Sequence, residues 1–161
     1  MGMHAQVFNA GTGLRGNAVS LGIAPTLYGS NNLMLFLHGD IKLKPGSDII
    51  ARVGLGGADY IGAGFKFGLT KRLSFAAGAH YDNEVGLDGT FIANIPIGSD
   101  AYIMSGLDVD VLFPDDIVIP VWLPIGLDVK VSTAISVMLE GDICLTNNAP
   151  DIFGGGIIVF F

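Results

Sequence analysis

Apolar and polar residues alternate with a period of two along almost the entire chain, and this pattern constrains the fold more than any other feature. Successive side chains of a β-strand point to opposite faces, so such alternation predicts strands and not helices. In residues 33–43, one face carries Leu33, Leu35, Leu37, Ile41 and Leu43, and the other carries Met34, Phe36, His38, Asp40 and Lys42. No apolar stripe with helical spacing interrupts the pattern.

The same parity test predicts about ten strands, with eight as the alternative count, each close to the length that a tilted strand needs to cross a bilayer. An even number of strands would place both termini of the chain on one side of the membrane. The predicted strands lie near residues 19–23, 33–43, 49–55, 61–69, 73–82, 87–97, 103–113, 119–130, 135–145 and 153–161.

The connections between these strands alternate between tight turns and somewhat longer loops. We assign the tight turns to the periplasmic side and the longer loops to the outside. The predicted tight turns are residues 44–47, 70–72, 98–100 and 131–133; the predicted longer loops are residues 28–32, 56–59, 82–86, 114–116 and 146–151.

Volume decides which face of the sheet points outward. About ten strands with several large apolar side chains each would overfill a lumen of that size, since barrels of eight strands are already filled by side chains. The opposite face carries many of the chain's 24 glycines together with its charges. The apolar face therefore points outward, toward lipid. A transmembrane helix is excluded, because no run of 18 apolar residues occurs.

Two prolines strain this interpretation. Pro120 and Pro124 share one parity in a single predicted strand, and each lacks the amide hydrogen that the sheet ladder uses. We expect this strand either to bulge or to leave the membrane in part as a loop.

The predicted domain organisation is an N-terminal extension at residues 1–13, followed by a β-barrel domain at residues 14–161. Residues 11–16, Gly-Thr-Gly-Leu-Arg-Gly, match the letters of a dinucleotide-binding loop. That motif needs a strand before it and a helix after it, and neither is predicted. We interpret it as a lead-in to the first strand.

The chain ends in Gly-Ile-Ile-Val-Phe-Phe, an alternating apolar strand that closes on Phe161. With the alternation of the whole chain, this ending resembles that of bacterial outer-membrane β-barrel proteins. Residues 60–70 likewise resemble a strand and tight turn of that class. The resemblance implies an all-β, closed antiparallel up-and-down transmembrane barrel in a bacterial outer membrane. It also implies contact with membrane lipid and recognition by the outer-membrane assembly machinery through Phe161. The outer loops are shorter than those of porin and adhesion-type members.

Charged and bulky residues on the inward face are the candidate lumen lining. Lys42, Arg52 and Lys66 are predicted in the lower half of the barrel, and most of the acids in the upper half. We predict a narrow pore or membrane scaffold with an acidic lumen that prefers cations. A lumen plugged by ion pairs and ordered waters is the alternative. The predicted lumen-lining residues are His38, Asp40, Lys42, Arg52, Lys66, His80, Asp82, Asp88, Asp108, Asp110, Trp122, Asp128, Lys130, Glu140 and Asp142.

Enzymatic and metal-dependent activities have little support in the sequence. His80 and Asp82 faintly resemble the His-x-Ser element of lipid A deacylases, but Asp82 lacks the nucleophilic hydroxyl. The long outer extensions of omptin-like proteases are missing. Asp108 and Asp110 could help to hold Ca²⁺, although solvated acids beside Tyr102 and Lys130 are the preferred interpretation. His4, His38 and His80 lie on separate segments, so no catalytic site, metal or cofactor is predicted.

Net charge and the single cysteine exclude further classes. A formal charge of −7 without a basic stripe argues against nucleic-acid binding. Cys144 is the only cysteine, so an intramolecular disulfide is impossible. The competing interpretation is a soluble or secreted β-sheet protein that buries its apolar face by self-assembly.

Overall fold

The computed structural model describes residues 17–25, 33–56, 60–114 and 116–161. Within these ranges the regular structure consists of β-strands, because the alternating sequence suits strands throughout. The strands are β1 (Ala18–Pro25), β2 (Leu33–Lys44), β3 (Ser47–Leu55), β4 (Tyr60–Gly68), β5 (Leu73–Asp82), β6 (Glu84–Ile97), β7 (Ala101–Leu112), β8 (Val121–Lys130), β9 (Ile135–Cys144) and β10 (Ile152–Phe160).

The sheet closes on itself into a barrel. Each strand pairs antiparallel with its sequence neighbour, and β1 also pairs with β10, for example through Ser20 and Ile158. Closure leaves no strand edge with unpaired backbone groups, which is the condition for a sheet in lipid. The predicted closed antiparallel up-and-down barrel is therefore confirmed, with ten strands among the described residues.

Turn length distinguishes the two ends of the barrel. The connections β2–β3, β4–β5, β6–β7 and β8–β9 are short, and Gly46 and Gly98 adopt positive φ values of 81° and 79° within two of them. Ala18 and Phe160 pair at this same end. The first residue of β1 and the last residue of β10 therefore lie at the end of the barrel that carries the tight turns. One predicted longer loop is wrong. The β5–β6 connection is Asn83 alone, with φ 55°, because strand pairing continues to Asp82 and Glu84.

The two prolines mark an irregular part of the wall. Pro120 lies outside β8, so the predicted strand at 119–130 is shorter than expected. Along β7 and β8, Ser105 pairs with Ile125 and Asp108 with Trp122, and the ladder is interrupted between these pairs, where Pro124 has no amide hydrogen to donate.

The apolar face points outward. Leu35 and Phe65, from the apolar set, are 40% and 51% exposed. Trp122 and Asp108, which belong to the opposite face of the sheet, are 0% and 1% exposed. Exposed aliphatic and aromatic side chains surround the wall, and only a hydrocarbon solvent accommodates so much apolar surface without cost. The predicted sidedness is confirmed, and the barrel spans a membrane. In the described ranges no helix is long and apolar enough to do so.

The inner surface divides into an apolar part and a polar part. The apolar part is a packed cluster that includes Met34, Phe36, Met104, Trp122, Met138 and Ile158. The polar part lies mainly on β2 to β7. The predicted extension at residues 1–13 and the glycine-rich segment at 11–16 lie outside the described residues, so the domain boundary stays a prediction.

Candidate lumen site

Most of the predicted lumen-lining residues are buried inside the barrel, on the face opposite the lipid-facing one. These buried residues are His38, Asp40, Arg52, Lys66, His80, Asp82, Asp88, Asp108, Asp110, Trp122, Asp128, Glu140 and Asp142. Two predicted residues lie at the rim instead. Lys42 is exposed because β2 extends beyond the first residue of β1, which pairs with Asp40. Lys130 is half-buried because it is the last residue of β8.

Two ion pairs link strands that are not neighbours in the barrel wall. The Lys66 ammonium on β4 donates to the Asp40 carboxylate on β2, with an N–O distance of 2.7 Å. Arg52 on β3 lies 3.7 Å from Asp88 on β6. Because Arg52 reaches the level of Asp88, the predicted separation of lower bases from upper acids is incomplete.

His80 is positioned by two neighbours inside the barrel. Its Nδ1 lies 3.3 Å from the Asp88 carboxylate, and its ring stacks on Tyr60 with centroids 5.3 Å apart. Since Asp88 also contacts Arg52, this carboxylate joins a guanidinium and an imidazole in one network. The imidazole is therefore held as part of the wall packing, on the inner surface of β5.

Asp108 and Asp110 lie side by side on β7, and both are buried. Asp108 accepts a hydrogen bond of 2.5 Å from the Thr90 hydroxyl, and Asp110 is the register partner of Asp88 on β6. Their interpretation as solvated acids is therefore wrong, because the barrel encloses this face. Among the described residues, no three His, Cys, Asp or Glu side chains form a group that could hold a metal ion.

Acidic groups outnumber basic ones inside the barrel. The buried charged residues of the described ranges are nine carboxylates and the two permanent cations Arg52 and Lys66. Both cations contact acids on β2 and β6. The three strands β7 to β9 carry five of the seven remaining buried acids and only one basic residue, Lys130 at the rim. The other two acids are Asp48 on β3 and Asp82 on β5. The negative surplus is therefore concentrated on one side of the inner surface.

The interior is closely packed. Trp122, Met104 and Met138 are completely buried within it. A cavity of about 10 Å³ lies on the polar side, between His38, Arg52, Lys66 and Thr90. It has room for about one water molecule. The described conformation is thus closer to the plugged alternative than to an open channel.

Several inward residues were not among the predicted lining. Tyr60 and Asp48 share the parity of Lys66 and Arg52, and Met104 shares that of Asp108. The parity rule alone would have found all three. It would not have shown that Tyr60 stacks on His80, because that contact depends on how β4 and β5 curve around the lumen.

No family model matches the chain, and no curated protein matches it. Several solved structures, in contrast, match the chain over most of its length. The KdgM porin aligns with 89% of this chain and 99% of its own, at 9% identity and a TM-score of 0.55. The same porin in complex with disordered oligogalacturonate gives 90% and 98% coverage, 10% identity and a TM-score of 0.53. The NanC porin gives 90% and 99% coverage, 11% identity and a TM-score of 0.51.

At such low identity these similarities concern the fold. They agree with the closed ring, the lipid-facing exterior and the predicted class resemblance. The chain therefore shares the closed transmembrane β-barrel fold of these porins.

Proposed function

We propose that this protein is a non-enzymatic outer-membrane barrel that conducts small ions through a narrow, cation-preferring lumen and is closed in its described conformation. The supporting observation is the charge of the inner surface, where nine buried carboxylates face two permanent cations. A ring of acidic side chains favours cations in a narrow pathway, because it lowers their electrostatic energy and raises that of anions.

The acids on β7 to β9 would carry this selectivity. Asp40 is already paired with Lys66, and Asp88 with Arg52. Asp108 and Asp110 lie on a strand without basic residues, as do the acids of β9. A cation that enters the lumen would therefore meet the acids of these two strands as favourable contacts.

A membrane scaffold is the second candidate, and the packing of the interior favours it. Met104, Trp122 and Met138 fill space that an open pore would need. A barrel plugged in this way would anchor its loops without transport. The soluble alternative, which would bury the apolar face between subunits, has less support, because exposed apolar side chains surround the whole closed ring and lipid covers such a surface on every side.

Non-enzymatic behaviour is supported by the placement of His80, which contacts Asp88 and not the Asp82 of the lipid A deacylase resemblance. His80 is buried between Tyr60 and Asp88. A general base must reach the proton of a bound substrate, and this imidazole is enclosed by the wall instead.

Conductance of refolded protein in planar bilayers tests the pore and its selectivity together. We expect small, infrequent openings with a reversal potential that indicates cation preference in a salt gradient. The double variant Asp108→Asn/Asp110→Asn should shift the reversal potential toward zero. Asp100→Asn is the matched control, since Asp100 is exposed in the β6–β7 turn, and it should leave selectivity unchanged.

Each outcome of this measurement has a consequence. Anion preference, or equal shifts in the double variant and the control, would contradict the assignment of selectivity to β7. Complete absence of conductance from a folded barrel would reject the pore and leave the scaffold.

We further propose that Phe161 is a recognition signal for outer-membrane assembly. Its side chain is 74% exposed, while its backbone amide donates to the carbonyl of Asn17. The ring therefore contributes little to the packing of the finished barrel. Phe161→Ala should lower the amount of protein assembled in cells but leave refolding into synthetic vesicles unchanged. Equal losses in both assays would indicate a purely structural role.

A further inference from the structure

Residues 145–151 join β9 to β10 at the end of the barrel opposite the tight turns, and they fold across the barrel mouth. Ala149 packs against the interior apolar cluster. The indole nitrogen of Trp122 donates to the carbonyl of Pro150 over 3.3 Å. Trp122 faces inward and is completely buried, so this segment covers its outer side.

The remaining contacts of the segment are mostly single hydrogen bonds that involve side chains. The Asn148 amide donates to the carbonyl of Ile119 over 3.3 Å, and the backbone amide of Cys144 donates to the Asp151 carboxylate over 2.8 Å. The Thr146 hydroxyl accepts from the amide of Val121 over 3.1 Å. Leu145 still donates its backbone amide to the carbonyl of Val121 over 2.7 Å. Residues 146–151 belong to no strand, and side-chain contacts of this kind break at lower cost than a ladder.

Space beside the segment would allow it to move. A cleft of about 680 Å³ is lined by Ile143, Cys144 and residues 147–151. Asn147 within it has a positive φ of 56°. The segment is thus attached at its two ends and at a few polar points, with one side unpacked.

The residues under the segment belong to the acidic side of the lumen. Trp122 is the register partner of both Asp108 on β7 and Cys144 on β9. Asp142 is the next inward residue along β9. Displacement of the segment would therefore expose Trp122 and Cys144 first, and then the carboxylates beside them.

We propose that residues 145–151 form a lid that closes the outer mouth and swings outward to admit water and cations to the acids of β7 and β9. The function of this lid rests on the proposed pore. The motion of the lid can be measured separately through the single cysteine, Cys144, which lies beneath the lid with its sulfur 3.6 Å from the Thr146 hydroxyl. Cys144 is 9% exposed at the edge of the cleft, so a thiol reagent reaches its sulfur slowly in the closed state and faster when the lid opens.

The test measures the rate at which a small, water-soluble, cationic thiol reagent modifies Cys144 in the folded barrel in lipid. Trp122→Phe keeps an aromatic ring but removes the bond to Pro150. Asn148→Ala removes the bond to Ile119 together with the contacts of the Asn148 Oδ1 to the Thr146 hydroxyl and the Cys144 sulfur. Each should accelerate modification about two- to tenfold, the range expected for loss of one hydrogen bond that holds a closed state. Ser132→Ala is the matched control, since it removes a side-chain-to-backbone bond in the β8–β9 turn at the opposite end.

Unchanged rates in both lid variants would overturn the lid, and so would equal acceleration in the Ser132→Ala control, which would indicate general loosening. An anionic reagent of the same size serves as a second probe and should react more slowly in every variant. Bilayer conductance of the same proteins separates the two proposals. Faster labelling without conductance would keep the lid and reject the pore, whereas conductance with unchanged labelling would keep the pore and reject the lid.

Discussion

Lys66 shows how a single residue can depend on a partner that is distant in sequence. Its ammonium group lies inside the barrel, 2.7 Å from the Asp40 carboxylate, and both side chains are almost fully buried. A buried charge without compensation is costly, and the attraction between two buried charges offsets that cost only when both are present. The pair therefore affects the stability of the barrel mainly because the loss of one partner would leave the other as an uncompensated buried charge.

We expect Lys66→Met to lower the free energy of unfolding by about 3–5 kcal/mol, because Asp40 would keep its charge in the closed interior. The double variant Asp40→Asn/Lys66→Met should recover much of that loss. Urea unfolding in vesicles, followed by the fluorescence of the single tryptophan, measures both. Lys71→Met in the exposed β4–β5 connection is the control. Equal stability of Lys66→Met and the control would contradict the role of the pair.

The β5–β6 hairpin shows how one residue can reverse a strand. Pairing between these strands extends to Asp82 and Glu84, so Asn83 alone makes the turn, with φ 55°. Asparagine tolerates this left-handed conformation better than most residues, whereas β-branched residues do not. Its short connection also keeps β5 and β6 paired up to the barrel mouth.

Substitution of Asn83 should follow backbone preference. Asn83→Gly is expected to leave stability nearly unchanged, and Asn83→Val to lower the free energy of unfolding by about 1–2 kcal/mol, the cost of a left-handed backbone for such a residue. The same urea titration measures the difference. If valine and glycine were equally tolerated, the hairpin would have to turn in another way.

The whole molecule is organised by its two faces, and lipid is the environment that fits the outer one. Leu139 in the middle of β9 and Val131 in the β8–β9 turn are similarly exposed, at 60% and 66%. In water these positions would be equivalent. In a membrane they are not, because Leu139 lies at mid-strand and Val131 beyond the end of β8.

This difference gives a direct test of membrane insertion. Leu139→Arg should lower the stability of the barrel in vesicles by about 2–4 kcal/mol, the cost of an arginine facing the bilayer midplane, while Val131→Arg should have an effect near zero. Equilibrium folding into vesicles of defined thickness measures both. Two equally small effects would contradict the transmembrane orientation.

Alternation by itself determined the strands and their two faces, and the summed volume of the large apolar side chains determined that the apolar face points outward. Parity is a local property, and it follows from the geometry of each strand without knowledge of its neighbours. For the same reason it placed Trp122 and Asp108 on the inner surface. Pro120 and Pro124 also predicted the irregularity of β8, because proline lacks the backbone amide hydrogen in any structure.

Only the tertiary structure decided which inward side chains meet. The contacts of Arg52 with Asp88 and of Lys66 with Asp40 cross the lumen or skip a strand, and they depend on the stagger that closure of ten strands imposes. The filling of the interior by Met104 and Trp122, and the position of residues 145–151 across the mouth, depend on the same closure. Distances across a barrel are set by the whole ring, and no local pattern in the chain contains them.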